Sequence, residues 1–147
     1  MSLVIRPAKA GDADAIAVLL GELGYPSRAA EARDRLERLL ADADAGVLVA
    51  EAGGRAIGVA AYDLVWTVHR SDPQCRITTA VIDSGQRRRG VGRALIDAIE
   101  SLARERGCFR LEVTTRPSRT DAVAFYASLG FEDRPHRFAK ALRLPSP

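Results

Sequence analysis

Cysteine, histidine and lysine are scarce in these 147 residues, with two of each, and aromatic side chains make up only 5% of the chain. Cys75 and Cys108 lack a C-x-x-C spacing, so they read as two small buried thiols and not as a redox pair. His69 and His136 have no ligand-like neighbour at metal-site spacing, and no metal is expected. Lysine stands only at positions 9 and 140 among 22 cationic residues, so an anion site here is built from guanidinium forks or backbone amides. A net charge of +3 is too mild to demand nucleic acid, and no aromatics interleave the arginine run. The densest apolar stretch, Ala56 to Trp66, is broken by Gly58 and Asp63 and falls short of the roughly 18 residues of a membrane span. No membrane partner is expected. With no basic-then-apolar leader at the start, the expected compartment is the cytoplasm.

What remains is a chain that is 47% apolar, enough to fill one core, and we expect a single domain over residues 1–147. Val4 to Arg6 reads as a short strand closed by Pro7. Asp12 is placed to cap a helix whose apolar stripe is Ile16, Leu19, Leu20 and Leu23. Gly24-Tyr25-Pro26 ends it, Ser27 is placed to cap a second helix, and Ala32, Leu36, Leu39 and Leu40 form that helix's buried face. Val47 to Ala50, Gly53-Gly54 and Ala56 to Trp66 read as a hairpin. The β-branched run from Arg76 to Ile82 is a further strand, ended by Asp83-Ser84-Gly85.

Val91, Ala94, Leu95, Ala98, Ile99 and Leu102 recur at three and four residues, a helix that stops at Gly107. Arg110 to Thr114 then returns as a strand, completing a βαβ-type unit. Thr120 or Asp121 caps one more helix through Phe125 and Leu129, stopped by Gly130, and the remainder to Leu144 reads as a terminal strand pair.

Between that strand and the strongest helix lies Gln86-Arg87-Arg88-Arg89-Gly90-Val91-Gly92-Arg93. Unpaired amides at a helix N-terminus carry the positive end of its dipole, and glycines let phosphate oxygens approach the backbone. The segment reads as an anion loop or as a tight turn before a helix. It matches neither G-x-x-x-x-G-K-S/T nor G-x-G-x-x-G, so the P-loop and dinucleotide fingerprints are excluded.

Arg87-x-x-Gly90-x-Gly92, with Ile82 in the apolar strand position before it, resembles the Q/R-x-x-G-x-G/A signature of the GNAT acyl-CoA-dependent N-acetyltransferases. Downstream, Ala122-Val123-Ala124-Phe125-Tyr126-Ala127-Ser128-Leu129-Gly130-Phe131 resembles that family's A-x-x-F-Y-x-x-x-G-F segment. The resemblance implies a mixed α/β (α+β) fold with a mainly antiparallel sheet of six to seven strands flanked by about four helices. It also implies acetyl-CoA as cosubstrate, held by Ile82 and by Arg87, Arg88, Arg89, Gly90, Val91, Gly92 and Arg93. The reaction implied is direct transfer of the acetyl group to a primary amine.

That chemistry makes three demands: the acceptor ammonium loses a proton, the tetrahedral oxyanion is stabilised, and the departing thiolate is protonated. By resemblance Tyr126 is the acid for the CoA sulfur; the other reading is a core aromatic. The oxyanion falls to a backbone N–H where the strand ending at Ile82 splays from its neighbour, and the pantetheine arm pairs with that strand. Relatives often carry a glutamate at the position of Thr78, next to the acceptor, but Thr78 and Thr79 bring no carboxylate. Glu51, Asp63, His69, Glu112 or a water chain are the substitutes for a base.

Arg119 meets a CoA phosphate or is a solvated loop arginine. Tyr25 covers the acceptor or packs at a helix end, and Trp66 and His69 line the acceptor or an interface. The acceptor stays open among a small amine, an aminoglycoside-like polyamine and a peptide amine. A homodimer is expected through Trp66, Val68 and the Phe138 segment. The alternative is a non-catalytic acyl-CoA-binding or regulatory module that keeps the loop and has lost the base.

Overall fold

A computed structural model of the chain describes residues 2–115, 120–134 and 137–143. Two compact units are seen, Met1–Thr114 and Thr115–Pro147. The first holds a sheet of β1 (Leu3–Pro7), β2 (Ala45–Ala52), β3 (Arg55–Val65), β4 (Gln74–Ile82) and β5 (Arg110–Val113), in the spatial order of the chain. The first three pairings are antiparallel and β5 runs parallel to β4. Gly53 and Gly54 join β2 to β3 with φ of 58° and 73°, the left-handed pair that a two-residue hairpin turn needs. A parallel return requires a crossover, and helix α3 (Val91–Glu105) supplies it.

Alternation along the strands sends Val47, Val49, Val59, Ala61 and Val81 to one face. There they pack with Ile16 and Leu19 of α1 (Ala13–Leu23) and Leu36 of α2 (Ala29–Leu40). Helix α3 covers the other face. A Cβ built on Gly58 would lie 2.9 Å from Ile82 Cδ1, 3.2 Å from Leu95 and 3.3 Å from Val91, so the glycine lets the helix and Ile82 close over β3. Leu95, Ile96 and Ile99 are fully buried, each worth roughly 1.5–3 kcal/mol of burial, and this apolar stripe fixes where the helix begins.

Two local expectations are corrected. Asp12 stands before α1 without capping it: its buried carboxylate accepts from Arg6 Nη1 and Nη2, both at 2.8 Å, and from the Lys9 amide at 2.8 Å. The guanidinium holds the Asp12 carboxyl below its ordinary range, because a paired charge outcompetes a cap. Ser27 does not cap α2 either. Its hydroxyl donates to Tyr25 O and accepts from Arg35, while Glu31 accepts from the Arg28 amide.

The sheet has five strands among the described residues, and not six to seven. Residues 131–134 and 137–143 form no strand, for Glu132-Asp133-Arg134 has no apolar alternation to bury, and Phe138 and Leu142 are almost fully exposed. Residues 135, 136 and 144–147 lie outside the described set. In the second unit α4 (Thr120–Ser128) is the one described helix. No described helix is long and apolar enough to cross a membrane.

Candidate functional site

The loop between β4 and α3 is held from three sides. The Asp83 amide donates to Ile57 O at 2.8 Å, continuing the β3–β4 ladder, and the Asp83 carboxylate accepts from the Gly85 amide and from Arg55 Nη2. Ser84 donates through its amide and hydroxyl to Glu22 of α1, at 3.2 and 3.3 Å. Beyond this anchor the backbone turns left-handed at Arg88 (φ 65°) and again at Gly90 (φ 80°), the N-cap of α3. Gly90 has no side chain to cap with, and no side chain among the described residues closes the first-turn amides of Val91, Gly92 and Arg93; the helical ladder starts with Ala94 N to Gly90 O at 3.0 Å.

Arg87, Arg88 and Arg89 are all exposed around these amides. Arg89 reaches only Gln86, at 3.5 Å, and Arg93 faces Asp97 at 3.9 Å, whereas Arg87 and Arg88 form no ion pair among the described residues. Donor dipoles and unpaired cations thus converge on one helix end. That is the electrostatics of a phosphate site.

Next to it, β4 has an open edge. Strand β5 pairs with β4 only from Gln74 to Ile77, so from Thr78 to Ile82 that side of β4 has no strand partner among the described residues. Thr78 is also a bulge, because the register with β3 passes from Ala61↔Thr79 straight to Tyr62↔Ile77. Since Asp83 bonds to β3, the alternation of an antiparallel ladder directs Thr79 and Val81 to β3 as well. The N–H and C=O groups of Ala80 and Ile82 point to the open edge.

The residues weighed as bases sit apart. Glu51 accepts from Arg6 at 3.1 and 3.3 Å at the β1–β2 end, and Glu112 accepts from Arg76 Nε at 3.3 Å with Arg110 at 4.0 Å. His69 is exposed in the turn after β3, and Thr78 is exposed on its bulge. Asp63 differs: its Oδ1 is buried and accepts from no described residue. Cys75 is buried and its thiol is pushed up to about 12 by desolvation, so it stays protonated and is no nucleophile; Cys108 is shifted the same way. The described residues hold no group of ligands able to bind a metal.

Tyr25 lies exposed in the turn between α1 and α2. In the second unit, Tyr126 is half-buried on α4 and meets Phe125 and Phe131 edge to face, at centroid distances of 5.1 and 5.5 Å. Burial raises its phenol pKa above the ordinary value, so the hydroxyl keeps its proton at neutral pH. Arg119 lies outside the described residues.

Residues 14–131 match the acetyltransferase (GNAT) family model. Over 90 residues, 60% of this chain, the sequence is 31% identical to an uncharacterized N-acetyltransferase of Methanocaldococcus jannaschii; the match spans 40% of that protein's length. Over 139 residues it is 27% identical to the aminoalkylphosphonate N-acetyltransferase of Salmonella typhimurium, covering 94% of this chain and 90% of that one. The fold superposes on an aminoglycoside N-acetyltransferase solved in complex with CoA at a TM-score of 0.86 and 23% identity, covering 97% of this chain and 96% of that chain.

Proposed function

Because this chain belongs to the GNAT acetyltransferase family and is an acetyltransferase, we propose that it carries the acetyl group of acetyl-CoA directly to the nitrogen of a primary amine. The observation that carries this reading is the uncapped start of α3 behind Arg87, Arg88 and Arg89. There the amides of Val91, Gly92 and Arg93 hold the CoA pyrophosphate, with the arginines and Arg119 on the phosphates. The pantetheine arm lies along the open edge of β4 and pairs with Ala80 and Ile82 as an added strand would. The Ala80 N–H stabilises the oxyanion that forms when the amine attacks the thioester carbon.

As the C–S bond breaks, its electron pair stays on sulfur and Tyr126 supplies the proton, while the protons lost by the acceptor nitrogen pass to a water chain and Tyr126 is reprotonated from solvent. Tyr25 and Thr78 border the acceptor. One domain over residues 1–147 belongs to this reading, supported by a family match that crosses the boundary between the two units. A second reading, an acyl-CoA-binding module without turnover, is favoured by one observation, the threonine at 78 where relatives often carry a carboxylate. Free-thiol release from acetyl-CoA across a panel of amines separates the two: turnover with any amine supports the transferase, and none with all of them supports the binder.

We take the enzyme to be a cytoplasmic homodimer, since Trp66, Val68 and Phe138 expose large apolar surface. Sedimentation at roughly tens of micromolar protein should give twice the mass of one chain. A monomer at that concentration would contradict the dimer.

A further inference from the structure

The sheet face that α1 and α2 share ends in a polar field built by register. Asp63 of β3, Arg76 of β4 and Glu112 of β5 are direct cross-strand neighbours, and the next row holds Gln74 and Arg110. The Arg76 Nε bond to Glu112 at 3.3 Å and the Arg110 Nη2 bond to Gln74 Oε1 at 2.8 Å place these side chains together on one face. Two of the five keep a buried atom without a partner among the described residues: Asp63 Oδ1, an acceptor, and Arg110 Nε, a donor. An unmet buried polar atom carries a desolvation penalty, and a ligand that satisfies it recovers that penalty on binding.

We propose that this field is the acceptor subsite and that it selects a primary amine which also bears an acidic group, with Asp63 facing the nitrogen end and Arg110 the acidic end. The inference rests on the transferase reading and adds the class of acceptor. Orientation follows from the rows. The Asp63 row lies two residues, about 7 Å, nearer to the open stretch of β4 than the Arg110 row, so the nitrogen end is the one drawn toward the donor. Arg76 meets Glu112 through Nε, whereas Arg110, bonded to Gln74 through Nη2 and 4.0 Å from Glu112, is the guanidinium that keeps a buried Nε–H without a partner among the described residues, a donor for a carboxylate or phosphonate. A polyamine would set its second cation against Arg110.

The test uses 3-aminopropylphosphonate, 3-aminopropanoate, propylamine and spermidine as acceptors and free CoA as the readout. The expected result is a kcat/KM about tenfold or more higher for the two acidic amines than for propylamine or spermidine. R110Q should raise KM for the acidic amines and cut their advantage over propylamine by about tenfold or more, with R110K keeping part of it. D63N should raise KM for acidic amines and propylamine alike. A preference for propylamine or spermidine overturns the subsite and leaves the transferase standing, as does an equal effect of R110Q on all amines, which marks Arg110 as structural. No release from any of the four also overturns the subsite; whether acetyl-CoA still raises the melting temperature then decides if the donor site falls with it.

Discussion

Replacing Tyr126 by phenylalanine should lower turnover by about 10²- to 10⁴-fold while leaving acetyl-CoA affinity nearly unchanged. The substitution keeps the ring and its edge-to-face contacts with Phe125 and Phe131, and removes only the hydroxyl. Burial raises the phenol pKa, so the group is a protonated donor across the neutral range and loses that role only when pH climbs past the raised value. A purely structural tyrosine behaves differently: loss of a buried hydroxyl bond costs roughly 0.5–1.5 kcal/mol of stability and spares turnover. Rate and melting temperature measured on the same variant separate the two. Wild-type turnover in Tyr126→Phe would remove this residue from the chemistry.

The second large effect concerns the donor loop. Acetyl-CoA at about a hundredfold its Kd should stabilise the folded chain by about 2.7 kcal/mol, which is a rise in Tm of several degrees at roughly 2–4 °C per kcal/mol. Valine at position 90 is forced to φ near 80° and places a branched side chain where the phosphate approaches; valine at 92 puts one beside the first-turn amides. Each variant should lose the ligand-induced rise. Gly90→Val also lowers the ligand-free Tm through backbone strain of roughly 1–3 kcal/mol, so the shift, and not the absolute Tm, is the quantity to compare. An unaltered rise in both variants would reduce the loop to a turn.

Much of the fold is legible in the sequence because the signals are local. The four-residue spacing of Val91, Leu95 and Ile99 specifies α3, and Gly53-Gly54 between two β-branched runs specifies the hairpin. Asp12 and Ser27 differ from the expected caps for one reason: a cap competes with other side-chain partners nearby, here Arg6 of β1 for Asp12 and Arg35 of α2 for Ser27. The expected terminal strand pair is missing among the described residues because the segment after Gly130 carries isolated apolar residues, Phe138 and Leu142, without the alternation that buries one face.

In the candidate site the glycine loop and Tyr126 were visible as motifs. The bulge at Thr78 and the edge it opens were not, since a one-residue slip against β3 leaves no mark in either strand's composition. Asp63 stood as one acid among several in the sequence. What distinguishes it is an oxygen without a partner among the described residues, which depends on what the neighbouring strands β2 and β4 and their side chains fail to offer. Arg110 reads in the sequence only as the first residue of a strand, for a strand arginine reads as surface until its register beside Gln74 is known.

The measurement that bears most directly on the central claim is transfer of an isotopically labelled acetyl group. With labelled acetyl-CoA, an amine that supports CoA release and the wild-type chain, mass spectrometry should find the label on the amine nitrogen in an amount equal to the CoA set free. The protein itself should carry none, because the amine attacks the thioester directly. CoA release with the label recovered as free acetate, or label retained on the protein, would contradict direct transfer to an amine.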